Sequence, residues 1–139
     1  IALREGLADG TIDIVATDHA PHPAETKECE WQYASFGMLG LETALSIVWH
    51  TMIDSKLMSI TDLEKRMSAK PAEIGKYHNQ GNAIAQGAPA NLALFAPSRA
   101  WKVDRDLVAS KSRNTPFHGM EFPGSVIATF YNGHLSWRA

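Results

Sequence analysis

The sequence of 139 residues lacks several features that mark particular classes of protein. Its single cysteine, Cys29, excludes an intrachain disulfide and a metal centre built from several thiolates. The formal net charge is −2 and no basic block occurs, so nothing indicates a nucleic-acid-binding protein. No apolar run approaches the roughly 20 residues needed to cross a bilayer. With 45% hydrophobic and 20% charged residues, the composition is ordinary for a soluble globular protein. The single cysteine fits a location in the cytoplasm.

The first part of the chain is predicted to contain a helix, a strand and a long loop. Residues Ile1–Asp9 have a helical pattern, and Gly10 suits the end of that helix. Ile12–Ala16 is short and rich in β-branched residues, which predicts a buried strand. A strand that is apolar on both faces belongs to a parallel sheet covered by helices, and it needs neighbouring strands. Pro21–Phe36 is a polar loop, and loops of this length in compact domains are usually functional or disordered.

Three helices are predicted in the middle of the chain. Gly40–Ser55 has an apolar stripe at helical spacing, formed by Leu41, Leu45, Val48 and Met52. A second helix is expected to begin at Thr61, because Thr61 and Glu64 match the capping-box pattern. A third is expected from Pro71, which suits a first helical turn, to about Tyr77.

The last part of the chain has the character of a small β module. Glycine and proline punctuate short β-type runs beyond Gly81. Asn132-Gly133 predicts a tight hairpin turn, because both positions tolerate a positive φ. The predicted strands are Asn91–Ala96, Trp101–Val103 and Ser125–Tyr131.

The segment Thr17–His22 carries the chemistry around which the rest of the chain is organised. Asp18 follows the predicted strand directly, and His19 and His22 lie one and four residues beyond it. In barrels of parallel strands, the C-terminal strand ends face the active site. A carboxylate at such a place can bind a metal ion or move a proton.

These residues resemble the Asp-His-Ala-Pro-His segment of bacterial class I dihydroorotases, in the amidohydrolase superfamily. Phe36-Gly37 at matching distance, the helix start Gly40–Leu45 and the segment Asn114–Gly119 support the resemblance. The resemblance implies an α/β fold. Residues 1–80 would form the last βα part of a TIM-type (β/α)8 barrel, and residues 81–139 part of a small β-sandwich.

The resemblance also implies roles for four residues. The aspartate matching Asp18 binds one metal of a binuclear zinc site, takes a proton from the metal-bound hydroxide and passes it to the leaving amide nitrogen. The histidine matching His22 hydrogen-bonds the substrate carboxylate, and the pair matching Phe36-Gly37 offers backbone contacts to the substrate ring. Each parent subunit would hold two zinc ions.

The remaining residues of interest are interpreted as structural. His19 is expected to orient or pack near Asp18, because the metal-binding histidines of the family come from other strands. The Phe36 side chain is expected to act as a hydrophobic plug. Asn114–Gly119 is interpreted as a packing and turn segment. The other four histidines show no metal-motif spacing and are interpreted as non-catalytic: His50, His78, His118 and His134.

The expected parent activity is reversible hydrolysis of dihydroorotate to N-carbamoyl-aspartate in pyrimidine synthesis. The chain is expected to be a C-terminal portion, because the other metal ligands and the arginine that binds the substrate carboxylate are missing from it. Two alternatives stay open: a hydantoinase or allantoinase, and an inactive dihydroorotase-like scaffold for aspartate transcarbamoylase. For assembly, the alternatives are a homodimer and a complex with aspartate transcarbamoylase.

Overall fold

A computed structural model describes all residues from 1 to 139 and shows a mixed α/β chain with helices first and strands last. The first helix, α1, spans Ala2–Asp9 and ends at Gly10, whose φ of 95° is left-handed. Both features of this helix are as predicted. The loop that follows contains two short 3₁₀ turns, Ala24–Thr26 and Trp31–Tyr33. No helix is both long enough and apolar enough to span a membrane.

The predicted strand Ile12–Ala16 is wrong, since these residues pair with no strand and none is fully buried. The segment is held instead by the helix that begins at Ile60: the Val15 N–H donates to the Arg66 carbonyl over 3.0 Å. A strand of a parallel sheet needs at least one neighbouring strand to pair with. Within this chain, the only parallel pairing is the isolated bridge between His19 and Met38.

The predicted helix Gly40–Ser55 is shorter than expected. Helix α2 spans Ala44–Val48 and continues as a π-helical stretch, Trp49–Ile53. Leu41 therefore lies outside the helix and is 64% exposed, whereas Met52 is buried. These helices supply most of the buried apolar cluster, which comprises Val48, Trp49, Met52, Met58 and Leu63.

The next two predicted helices are joined in one helical segment from residue 60 to residue 75. It consists of α3, Ile60–Glu64, a π-helical stretch, Lys65–Ala69, and α4, Lys70–Gly75. A proline cannot donate the next helical hydrogen bond and crowds the carbonyl four residues earlier. The wider π-helical stretch lies just before Pro71, and the helix continues through the proline instead of beginning at it.

The cap predicted at Thr61 is also wrong, because the helix begins two residues earlier. Ser59 is the N-cap: its Oγ accepts from the Asp62 N–H over 3.1 Å, and Asp62 Oδ2 accepts from the Ser59 N–H over 3.2 Å. The Ser59 hydroxyl and N–H both stabilise the charged carboxylate, and the pKa of Asp62 is therefore lowered.

The strands form two small antiparallel sheets. Strands β1, Leu92–Ala96, β4, Ser125–Tyr131, and β5, His134–Arg138, lie in the order β1-β4-β5. Strands β2, Trp101–Lys102, and β3, Glu121–Phe122, form a two-stranded sheet, of which β3 was not predicted. The predicted hairpin is confirmed: Asn132 and Gly133 join β4 to β5 with φ of 48° and 81°.

The helices and the strands pack on each other. The rings of Trp49 and Phe95 have centroids 4.9 Å apart. The Ser46 hydroxyl donates to the Gly124 carbonyl over 3.0 Å and accepts from the Trp101 indole N–H over 3.1 Å. These contacts join α2 and its π-helical continuation to the β-rich part of the chain.

Candidate active site

Asp18 stands at a sharp bend of the chain. Its φ is 44°, a left-handed value that aspartate and asparagine tolerate better than most side chains. The residue is exposed and takes part in none of the chain's salt bridges. Its carboxylate is therefore free to bind an external group or exchange a proton.

His19 is anchored to the turn that precedes α2. Its Nδ1 accepts from the Gly40 N–H over 3.0 Å and from the Leu41 N–H over 3.3 Å. Because Nδ1 acts as an acceptor for two amides, the proton of the neutral ring lies on Nε2. The ring thus orients the backbone next to Asp18, and Nδ1 is occupied.

His22 lies against the other loop of the candidate site. Its Nε2 is 2.7 Å from the Phe36 carbonyl oxygen. A carbonyl only accepts, so Nε2 is the protonated nitrogen and Nδ1 is left for another partner. The two residues are 14 positions apart in sequence, so the ring closes the loop between them.

The Phe36-Gly37 pair contributes backbone rather than a hydrophobic side chain. The Phe36 side chain is 95% exposed, so its predicted role as a hydrophobic plug is wrong. Gly37 has a φ of 100°, and a Cβ there would lie 2.5 Å from the Ala20 Cβ. Only glycine allows these two loops to approach so closely.

Two polar side chains hold the loops in place. Lys27 Nζ donates to the Ser35 carbonyl over 2.7 Å and to the Gly37 carbonyl over 3.1 Å. The Asn114 amide contacts the His22 N–H and the Ala20 carbonyl. Sequence reasoning gave Lys27 no role and Asn114 only a packing role. No local pattern reveals these contacts, because the Asn114 partners are more than ninety residues away.

A cleft of about 800 Å³ opens beside these loops, and its wall carries more basic than acidic side chains. His22 and Gly37 line it on one side. Four lysine or arginine side chains line it against two carboxylates: Lys27, Arg105, Lys111 and Arg113, with Glu28 and Asp106. This excess of positive charge suits an anionic ligand.

No three histidine, cysteine, aspartate or glutamate side chains converge in the chain to hold a metal ion. The carboxylate of Asp18 has no partner, whereas each motif histidine has one ring nitrogen in a hydrogen bond, His19 Nδ1 and His22 Nε2, and one without. Asp18 can supply one ligand, and zinc sites use three or four protein ligands that converge on the ion. The residues present can supply part of the ligand set of a metal centre, but not a complete set.

Comparison with known proteins reveals relatives over nearly the whole chain, although no protein-family model matches it. It is 54% identical over 133 residues to a dihydroorotase of Streptomyces coelicolor, covering 96% of this chain. It is 46% identical over 138 residues to a dihydroorotase of Mycobacterium tuberculosis, covering 99% of this chain. The chain spans 31% and 32% of the length of these two relatives.

Solved structures share the fold. An L-hydantoinase (dihydropyrimidinase) from Arthrobacter aurescens matches 98% of this chain and 31% of its own, with a TM-score of 0.88 and 32% identity. A dihydropyrimidinase from Brevibacillus agri matches 99% of this chain and 31% of its own, with a TM-score of 0.89 and 24% identity.

The chain therefore has the fold of the corresponding part of the hydantoinases, which belong to the amidohydrolase superfamily. By sequence, it is a relative of the dihydroorotases, and the resemblance seen in Thr17–His22 is confirmed.

Proposed function

We propose that this chain is part of a dihydroorotase, which hydrolyses (S)-dihydroorotate reversibly to N-carbamoyl-L-aspartate in pyrimidine (UMP) synthesis. The observation that carries the proposal is the convergence of His22 and Gly37 on a basic cleft in a dihydroorotase relative. Dihydroorotate is an anion with a ring carboxylate, and this cleft offers positive charge beside hydrogen-bonding groups.

Asp18 is proposed as the residue that moves the proton. In hydrolysis, a water oxygen bonds to the ring carbonyl carbon, the adjacent ring C–N bond breaks, and the nitrogen gains a proton. Asp18 would take the proton that the water loses and deliver it to that nitrogen. Its free, exposed carboxylate at the end of the Thr17–His22 bend supports this role.

Asp18 is also proposed as one ligand of a zinc centre with two ions, whose other ligands lie outside this chain. Bound zinc would polarise the water and the substrate carbonyl. The support is the exposed carboxylate of Asp18, which has no ion-pair partner, in a chain that spans about 31% of the length of its relatives.

His22 and the Phe36-Gly37 backbone are proposed to hold the substrate. His22 would contact the ring carboxylate through Nδ1, because Nε2 is bonded to Phe36. The carbonyls of Phe36 and Gly37 are both occupied, but their N–H groups donate to no main-chain acceptor. The backbone contacts to the substrate ring would therefore come from N–H groups donating to ring oxygens.

The architecture is proposed from the same similarity. Residues 1–80 would contribute the last βα part of a TIM-type barrel, and residues 81–139 part of a β-sandwich. The TM-scores to hydantoinases support it. We also propose that the enzyme is cytoplasmic and that it forms a homodimer or a complex with aspartate transcarbamoylase.

Hydantoinase activity is the second candidate, because solved hydantoinases share the fold. The deciding experiment measures ring opening and closure by the full-length enzyme on dihydroorotate, and on hydantoin and dihydrouracil, which lack the carboxylate. Preference for dihydroorotate is expected. Preference for the uncharged rings would support a hydantoinase, and no turnover with any of them would support an inactive scaffold.

Residues 1–139 alone provide a control for that assay. With added zinc, the isolated chain is expected to show no ring opening and no tight zinc binding, because it offers one free carboxylate rather than three or four ligands. Turnover by this piece would contradict the proposal that the metal centre is completed by residues outside it.

A further inference from the structure

We propose that Asn114 is a positioning residue that holds His22 in the orientation needed to bind the substrate carboxylate. The inference rests on the proposed dihydroorotase function. It assigns to the segment between β2 and β3 an indirect part in substrate recognition, through His22.

The first argument is the geometry of the Asn114 amide. Oδ1 accepts from the His22 N–H over 3.2 Å, and Nδ2 donates to the Ala20 carbonyl over 2.8 Å. The amide thus spans the backbone on both sides of Pro21. Exchanging oxygen and nitrogen would place like groups against each other, so the two contacts determine the amide orientation.

The second argument is that Asn114 also joins this loop to the Phe36-Gly37 segment. Nδ2 lies 3.5 Å from the Gly37 carbonyl, and the Asn114 carbonyl accepts from the Leu39 N–H over 3.2 Å. One residue therefore contacts both loops that are proposed to hold the substrate. The distance between His22 Nε2 and the Phe36 carbonyl depends on those loops staying in register.

The third argument is that Asn114 lines the same basic cleft as His22 without needing to contact the substrate. Loss of its amide would leave the His22 ring present but release the backbone that carries it, so Nδ1 would be less well placed for a carboxylate. Binding of the carboxylate would weaken in the ground state and the transition state alike, so KM should rise with little change in kcat.

Asn91 provides a matched control within the chain. Its amide makes the same two kinds of contact, accepting from the Asn132 N–H over 2.8 Å and donating to the Asn79 carbonyl over 2.6 Å. These partners belong to the hairpin turn and the loop before β1, and none lines the basic cleft. Asn91→Ala therefore removes comparable hydrogen bonds without touching the His22 loop.

The experiment compares Asn114→Ala with Asn91→Ala in the full-length enzyme. Asn114→Ala should raise KM for dihydroorotate roughly tenfold, with kcat within about threefold of wild type. Asn91→Ala should leave both constants unchanged. Equal effects of the two variants, or no effect of Asn114→Ala, would overturn the proposal.

A second readout needs no substrate. Diethyl pyrocarbonate acylates accessible imidazoles, and peptide mass spectrometry can compare His22 with the exposed His78 as an internal reference. His22 should react several-fold faster in Asn114→Ala than in wild type or Asn91→Ala, and His78 equally in all three. Unchanged His22 reactivity would overturn the positioning role. An enzyme that acts only on uncharged rings would instead overturn the proposed function and leave this readout valid.

Asn114→Asp covers the case in which Asn114→Ala does not fold. It keeps the volume and the acceptor for the His22 N–H but removes the donor to the Ala20 carbonyl. Because the new carboxylate would itself repel the anionic substrate and raise KM, the deciding readout for this variant is His22 reactivity, which is expected to rise as in Asn114→Ala. Wild-type reactivity of His22 would overturn the proposal.

Discussion

His22 donates a hydrogen bond of 2.7 Å from Nε2 to the carbonyl oxygen of Phe36. This contact determines which ring nitrogen is left for a ligand. In the neutral ring Nδ1 is then an acceptor, and it donates to a carboxylate only when the ring carries a second proton.

Replacing His22 tests the contact with the substrate carboxylate. His22→Ala in the full-length enzyme should lower kcat/KM for dihydroorotate roughly ten- to a hundredfold, since a hydrogen bond to a charged group contributes about 1.5–3 kcal/mol. The measurement is steady-state kinetics together with zinc content, which should not change. Loss of zinc would make His22 a metal ligand, and full retained activity would disprove the carboxylate contact.

Gly37 is predicted to tolerate no side chain, and Gly87 provides its control. Both have a left-handed φ, of 100° and 87°, but only at Gly37 would a Cβ clash, with Ala20 at 2.5 Å. Gly87→Ala should cost about 1–2 kcal/mol of unfolding free energy from backbone strain alone. Gly37→Ala should cost more in urea unfolding, and it should also reduce turnover. Equal losses of unfolding free energy in the two variants would show that the loops carrying Gly37 and Ala20 can move apart at no cost.

Local signals made part of this fold predictable. The Asn132-Gly133 turn and the Gly10 helix end depend on the φ preferences of single residues, which the surrounding structure does not override. The cap at Ser59 was missed because Ser59-x-x-Asp62 and Thr61-x-x-Glu64 resemble the same motif. Choosing between them requires knowing where the helix packs.

Long-range relationships could not be predicted in this way. The Ile12–Ala16 pattern indicated a strand, but a strand exists only where another strand supplies its hydrogen bonds. The Asn114 amide contacts His22, which lies 92 positions earlier in the sequence. The two residues are brought together by the packing of β-strands on helices. The Thr17–His22 motif predicted where in the chain the site lies, but the contacts that hold His22 come from residues distant in sequence, such as Asn114.

The capping box predicts a pH dependence of stability. The Ser59 hydroxyl and N–H lower the pKa of Asp62 below its ordinary value of 3.8. A carboxyl whose pKa is lowered by folding stabilises the protein above the ordinary value, and this stabilisation is lost as the pH falls through the folded-state pKa. Urea unfolding of wild type should therefore show a fall in stability below about pH 4.

Asp62→Asn should reduce the fall in unfolding free energy at acid pH, because asparagine cannot titrate. Asp9 serves as the comparison, since hydrogen bonds from Thr11 lower its pKa in the same direction. Asp9→Asn should leave the Asp62 contribution in place, so the two substitutions together should flatten the curve more than either alone. An Asp62→Asn curve parallel to wild type throughout the acid range would contradict the prediction.

Asp18 carries the most demanding prediction, because it is assigned both a proton and a metal ion. Asp18→Asn keeps the shape and tolerates the left-handed φ of 44°, so the bend should survive while the base is lost. General acid–base catalysis contributes typically 10²–10⁴-fold, and kcat should fall at least about a hundredfold in both reaction directions. Zinc content, measured on the same sample, separates the two roles: a fall in kcat with zinc retained isolates the proton transfer, whereas loss of zinc shows that the carboxylate is needed as a ligand. A variant within a few-fold of wild type would show that Asp18 only shapes the loop, and the proton carrier would then have to lie outside this chain.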